Sequence, residues 1–305
     1  MTIPLITVIG GMGTLGQPVV SELLASGFRV RVVTTQAGKA RLRFGRRVEE
    51  AVADVTQPAS LTEAVAGSFG VHINLQGGPG REDFFRIETE GVRNIVKACQ
   101  EANVEKISYT SGMVVSRLSA SDLSDPDGIH YPAIAKYQAE RAIMGSGIDY
   151  TIFRSTSFID TFQKFVRGRF AFLIGGFEGS FHWLCAREYA QYVVQSYDRP
   201  ECRNRIFPVL GVEKIRYRDA QKVFFQCARP DVIPLVVPRW ILRVMSLFIP
   251  PLRVALRLVK AADEFVEVEA AETVFVFGQP QMSISTYCSA LRSADPTRTM
   301  HSIPG

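Results

Sequence analysis

The sequence predicts an α/β protein, a doubly wound parallel sheet with a smaller, mainly helical C-terminal substrate region. Three observations lead there. Short β-branched runs alternate with segments of helical periodicity through the first half of the chain. Several helical segments stop at a glycine, as at Gly27, Gly67 and Gly147. Four glycines crowd the junction between the first run and the first helical segment, where such sheets bind ligands beyond the carboxyl ends of their strands.

The strand candidates are ITVIG (6–10), FRVRVVT (28–34), EEAVADV (49–55), GVHINLQ (70–76), EKISYTS (105–111) and DYTIFR (149–154). Between them lie QPVVSELLASG, ASLTEAVAGS, DFFRIETEGVRNIVKACQEAN and AIAKYQAERAIMGSG. In the third of these, Ile87, Val92, Ile95 and Val96 recur at helical spacing. Strands alternating with helices of this length imply a parallel sheet covered on both faces. The expected division is a core of residues 1–155, to which 186–210 return, a substrate or lid region of 156–185 and 211–292, and a disordered tail of 293–305.

Composition narrows the function classes. Of 305 residues, 47% are hydrophobic and 21% charged, which suits a folded globular chain. The net charge of +5 is spread along the sequence, so no nucleic-acid partner is expected. The five cysteines show no CxxC spacing and no clustering with histidine. They read as small buried hydrophobes, with no metal site and no disulfide framework, which fits a reducing cytoplasm. The N-terminus runs straight into the apolar PLITVIG, leaving no room for a signal segment.

The stretch VIGGMGTLGQPVV satisfies GxGxxG through Gly11, Gly13 and Gly16, and GxxGxxG through Gly10, Gly13 and Gly16. Glycine lets the backbone turn sharply and approach a pyrophosphate, while the following helix N-terminus offers free N–H groups. At the first strand-to-helix turn of such a series the motif points to a Rossmann-type dinucleotide site formed by Gly10, Gly13, Thr14, Leu15 and Gly16. The end of the second strand, RVRVVTTQAGKARLR, has no acidic residue for a ribose. It offers Thr34, Thr35 and Lys39 with Arg41 and Arg43, which favours NADP over NAD. Asp54 either accepts a hydrogen bond from the adenine amino group or caps its own turn. Gln76 and Gly77, in QGGPG, either pass close to the cofactor or form a plain turn.

Several segments in order, GGMGTLG, VADVTQPASLTEAVAG, TEGVRNIVKACQEANVEKISYTS, AKYQAERAIMGSGIDYTIFR and CAREYAQYVVQSY, resemble the NmrA-like, atypical short-chain dehydrogenase/reductase family over residues 3–210. The resemblance implies NAD(P) binding and either quinone, enone or isoflavone-type reduction, or redox sensing without turnover. It assigns Gly10, Gly13 and Gly16 to the pyrophosphate, Asp54 to the adenine and Lys136 to the nicotinamide ribose. Glu140 matches an acidic position usual in that helix. The sequence departs from the family at Thr35, where many NADP-binding members carry arginine, and at Ser155, where a proline is usual. Ser111 or its neighbour Gly112 takes the place of a hydrogen-bonding serine.

Ketone reduction in such enzymes uses a tyrosine whose proton is made available by a lysine one helical turn away. Here Tyr131 and Lys136 are five apart, which on a helix is about 140° of divergence. Pro132 is expected to open the helix, leaving Tyr131 just outside it, either swung toward the site or packed as an ordinary aromatic. The pair is not intact. That favours acceptors needing no phenolic donor: the expected activity is NAD(P)H-dependent reduction of a hydrophobic enone, quinone or related carbonyl. The alternatives are a redox-sensing NAD(P)-binding regulator and a non-redox isomerase or cyclase.

The segment TSFIDTFQKFVRGRFAFLIGGFEGSFHWLC is rich in phenylalanine and reads equally as a pocket for a large apolar substrate or as core. Residues 231–260 combine apolar runs with arginines and prolines that argue against a spanning helix. Two short amphipathic helices forming a lid are expected there, with contact to a membrane surface the less favoured alternative.

Overall fold

The computed structural model describes residues 3–78, 80–119, 121–124, 130–248, 256, 259–260, 262–263 and 265–294. These form two compact units. The first joins Met1–Ser155, Ala186–Val209 and Val268–Gly278; the second takes Thr156–Cys185, Leu210–Glu267 and Gln279–Gly305.

The first unit is built on strands β1 (Leu5–Ile9), β2 (Arg29–Thr34), β3 (Glu49–Val52), β4 (Gly70–Ile73), β5 (Lys106–Gly112) and β6 (Asp149–Ser155). A further strand, which we number β10 for its place in the chain, spans Arg205–Val209. All seven pair in parallel in the order β10-β6-β5-β4-β1-β2-β3, so the order reverses at β1. Helices α1 (Gly16–Ala25), α2 (Lys39–Phe44), α3 (Leu61–Val65), α4 (Arg81–Phe85), α5 (Gly91–Glu101), α6 (Tyr131–Met144) and α7 (Ala186–Asp198) supply the crossovers. Leu61 and Val65 of α3, Val92 and Ile95 of α5 and Ile143 of α6 pack with Val71, Ile73, Ile107 and Ile152 of the sheet in one buried cluster. This is the helix-on-sheet layer that the alternating apolar pattern requires.

The strand expected over 49–55 ends at Val52 and that over 70–76 at Ile73, because the chain leaves the sheet for loops there. Strand β10 lacked a sequence assignment. Residues 271–277 lie in the first unit, not with 211–292 as the sequence division had them. The helix Ala271–Phe277 hydrogen-bonds through Thr273 Oγ1 to the Pro208 carbonyl and packs Phe277 on Phe207, ring centroids 5.0 Å apart.

Helix α7 is fastened to the sheet by a buried polar chain. His72 on β4 is fully buried; its Nδ1 lies 2.8 Å from Ser108 Oγ, which lies 2.8 Å from the Tyr197 hydroxyl on α7. Thr110 Oγ1 lies 2.6 Å from the Tyr189 hydroxyl, also on α7. Burial drives the His72 imidazole down to about 3.

The second unit contains β7 (Val166–Arg167), β8 (Phe170–Ile174), β9 (Ser180–His182), β11 (Lys214–Arg216) and β12 (Ile233–Val237). Strands β12, β8 and β7 form one small sheet, and β11 with β9 another. Helices α8 (Tyr217–Ala228), α9 (Arg239–Met245) and the segment Ile284–Ala294 complete it. Phe162, Phe177 and Phe181 join Trp183, Tyr217 and Phe224 in its core, so for these phenylalanines the core alternative holds. Phe170 and Phe172 lie on the outer face of β8, 37% and 48% exposed. The expected pair of amphipathic helices over 231–260 is instead β12 followed by α9; the β-branched run before Pro238 pairs with β8 as a strand. The rest of that span, and the tail from 295, lie largely outside the described residues.

A folded His72 that stays neutral to about 3, against an unfolded value near 6.5, leaves the unfolded chain holding the extra proton between those limits. Stability contributed by this residue is therefore complete above about pH 6.5 and falls as pH drops, by up to about 1.4 kcal/mol per unit. Urea unfolding between pH 7.5 and 4.5 should show that loss, and His72→Gln should flatten it.

Candidate functional site

The glycine loop is shaped by backbone crowding. Gly10 has φ +82°, and a β-carbon there would overlap the Asn74 carbonyl oxygen at the end of β4. A β-carbon on Gly16 would overlap the Gly10 carbonyl, so the first turn of α1 sits directly on the loop. Gly13 closes the turn, donating its N–H to the Gly10 carbonyl at 3.0 Å. At Gly13 a β-carbon would find only the Gly10 oxygen, at 3.3 Å, so this position is the open one. Thr14 and Leu15 complete the turn, with Leu15 at the N-cap. No side chain caps α1 and no acidic residue occupies its first turn, which leaves N–H groups and the positive dipole end for an anion.

Beside the loop lies a cavity of about 370 Å³ whose lining includes Gly10, Thr34, Thr35, Lys39, Asp54 and Arg86. The ends of β1 and β2, the start of α2 and the loop after β3 thus bring the sequence-selected residues to one place. Arg86 was not foreseen; it belongs to a helical segment whose surface face gave no local signal, and its Nη2 lies 2.7 Å from Asp83. Thr34 Oγ1 donates to the Gln36 carbonyl at 2.5 Å and accepts from its N–H at 2.9 Å, so its hydroxyl shapes the turn. Asp54 Oδ1 accepts from the Thr56 N–H and hydroxyl, both at 2.8 Å, and these bonds hold its carboxyl below the usual range. One of its oxygens therefore caps the turn, while the residue still lines the cavity. An acidic side chain does reach this region: Glu50 accepts from the Gly38 and Ala40 N–H groups at 2.9 and 2.7 Å. The cradle, the uncapped helix and the cation-bearing cavity fit a dinucleotide.

The second cluster lies at the carboxyl end of β5. Residues 86–90 form a π turn between α4 and α5, which replaces the continuous helix expected over this stretch and turns Glu88 inward to complete burial. Its carboxylate receives Lys136 Nζ at 3.1 and 3.2 Å, the Tyr109 hydroxyl at 3.2 Å and the Gly77 N–H at 3.2 Å. Lys136 Nζ also donates to the Thr110 carbonyl at 3.3 Å. Burial first, then the nearby Glu88 and Glu140 carboxylates, hold the Tyr109 phenol well above its ordinary range. Gln76 precedes this contact in the loop after β4, and a β-carbon on Gly77 would strike the Phe84 ring.

Ser111 donates to Glu140 Oε1 at 2.5 Å. Arg154 grips the same fully buried carboxylate with Nε at 3.1 Å and Nη2 at 2.6 Å. Both Ser111 and Lys136 are thus engaged with buried acids that sequence reasoning had not paired with them. Tyr131 corrects an expectation: it is the first residue of α6, not outside it, and is 8% exposed. Its ring meets Phe84 edge-on at 5.5 Å, whereas Lys136 meets Glu88. Tyrosine and lysine are each held by a different neighbour because their five-residue spacing turns them apart on the helix. Among the described residues no group of three or more potential ligands could hold a metal ion.

Gly16→Ala should weaken dinucleotide affinity by about tenfold or more, read by fluorescence titration, because the added methyl would displace the glycine loop at Gly10 and Gly11.

Comparison with known proteins agrees with this geometry. A curated relative, photosystem II assembly factor Ycf39 of Trieres chinensis, is 24% identical over 251 residues, covering 79% of this chain and 76% of its own. Triphenylmethane reductase of Citrobacter sp., solved with NADP(H), superposes with a TM-score of 0.69 at 18% identity, covering 94% of this chain and 99% of its own. NADPH-dependent quinone oxidoreductase of Escherichia coli, solved with NADPH, gives a TM-score of 0.68 at 17% identity, covering 94% and 99%. The profile of a family described as NAD(P)H-binding matches residues 10–169, and the chain belongs to that family.

Proposed function

We propose that this protein is an NADPH-dependent reductase of a hydrophobic quinone, enone or dye-like acceptor. The observation that carries the reading is the glycine cradle opening beside a cavity lined by Thr34, Thr35 and Lys39, with an uncapped helix N-terminus next to it. The reductases among the similar structures support the acceptor class. Lys39 and Arg86 place two cations on the cavity lining, which supports a 2′-phosphate over a bare ribose.

When bound, the cofactor supplies the hydride. The chain's own residues would position it: the loop amides would hold the pyrophosphate, and Lys136, fixed by Glu88 and the Thr110 carbonyl at the end of β5, would meet the nicotinamide ribose. Tyr131 is packed on Phe84 and takes no part in proton transfer in this reading. A quinone or extended conjugated acceptor meets that constraint, because its reduced oxygen takes a proton from water. The same packing favours a second reading, an NAD(P)-binding regulator without turnover, to which the Ycf39 likeness also lends support.

NADPH oxidation in the presence of a panel of quinones, enones and triphenylmethane dyes separates the two readings. Acceptor-dependent oxidation is expected; tight NADPH binding with no oxidation across the panel would establish the second reading instead. Lys39→Glu should weaken NADPH about tenfold while leaving NADH within about twofold.

Lys136 offers a further test. Lys136→Met leaves the Glu88 carboxylate buried without its cation and should cost about 3 kcal/mol of stability. Adding Glu88→Gln should restore most of that loss in urea unfolding. NADPH affinity should stay low in the double variant if Lys136 touches the cofactor, and return with stability if its role is structural.

A further inference from the structure

The second unit holds a cavity larger than the dinucleotide cavity, about 760 Å³, which falls within the range of small-molecule sites. One wall is α8, where Arg218, Gln221, Lys222 and Phe225 recur at intervals of three and four and so share a helix face. The opposite wall is apolar, with Leu173 of β8, Val232 just before β12 and Val236 within it. Phe225, Val232 and Leu173 are 2%, 5% and 6% exposed, so the interior end is dry.

The face of α8 changes character along its length. At its N-terminal end are two cations and Asp219. The nearest carboxylates to Arg218 are Asp219 at 3.8 Å and Glu178 at 4.0 Å, beyond hydrogen-bond distance. Lys222 makes no ion pair among the described residues. Toward the C-terminal end comes Phe225. Gln221, between Arg218 and Lys222 along the helix, is 2% exposed, and its Nε2 is buried without a hydrogen-bond partner. A buried amide N–H without an acceptor is costly by about 1–3 kcal/mol, and natural interiors rarely keep one unless a ligand or water answers it. Rotation about the terminal amide torsion, which is soft, presents that N–H to the cavity.

We propose that this cavity binds a small monoanionic amphiphile of the medium-chain carboxylate class. Its head lies at Arg218 and Lys222, one oxygen accepts from Gln221, and its apolar body lies against Phe225, Val232 and Leu173. A neutral apolar molecule would leave Gln221 unanswered, and a polyanion would leave the dry end empty. The site lies within the second unit, and its ligand is independent of the dinucleotide.

Titration calorimetry with decanoate, alongside decanol as its neutral counterpart, tests this on the full chain with and without saturating NADPH. One decanoate per chain is expected, unchanged by NADPH. Arg218→Glu with Lys222→Glu should weaken decanoate about tenfold and leave decanol within about twofold. Gln221→Leu, which removes the unanswered amide, should weaken decanoate severalfold without lowering the melting temperature; this keeps the test decisive if charge reversal perturbs folding. No decanoate binding, stoichiometric displacement by NADPH, or equal affinity in the wild type and both variants would overturn the proposal. NADPH oxidation with the acceptor panel, measured on the same samples, reports separately on the reductase reading, so the two failures are distinguishable.

Discussion

Everything at the ligand end of the first unit depends on the contact of three backbones. Gly10 touches the carbonyl of Asn74 on one side and the start of α1 at Gly16 on the other, with no room for a methyl group at either position. That contact sets how closely β1, β4 and α1 converge. Within the loop the Gly13 N–H is spent on the Gly10 carbonyl, so the donors open to an anion are those at the start of α1, which no side chain caps. The cavity lined by β2 and the loop after β3 has its position because β1 is the strand at which the sheet order reverses.

Around this frame, two buried carboxylates decide what neighbouring side chains can do. Glu88 gathers a lysine, a tyrosine and a backbone amide; Glu140 gathers a serine and an arginine. A buried acid must be answered by donors, and those donors lose their freedom in answering it. Residues that would look catalytic by type therefore serve first as counter-charges, holding α6 against β5 and the π turn. Orientation of Lys136 is settled by Glu88, with little left to the lysine's flexible stem.

Much of the fold was legible in the sequence because period and punctuation are local. Six of the seven parallel strands, the glycine loop and the gathering of Thr34, Thr35, Lys39 and Asp54 follow from short-range pattern. Strand β10 escaped because RIFPV contains a proline and follows no distinctive turn; it pairs at the sheet edge with β6, where proline is tolerated. The π turn was illegible because its sequence, RIETE, is good helix-former composition and the departure arises from burying Glu88. Lys136 was chosen for its family position and Glu88 was not, since their pairing spans 48 residues. The phenylalanine-rich segment left two readings open for another reason: aromatic content marks burial without saying whether a ligand or the protein provides the partner, and Trp183 and Tyr217 provide it for Phe162.

The π turn also makes chain length informative. A helix carrying one residue beyond the α repeat shifts the phase of everything after it by about 100°. Phe84 and Glu88 can then face α6 while Val92 and Ile95 still face the sheet. Loss of a single residue between 86 and 90 would restore regular α-helix with both flanking faces kept in phase, and would remove the turn that brings Glu88 inward. In this stretch, an alignment gap of one residue would reveal more than any single substitution, because it would mark a chain that had given up its internal acid.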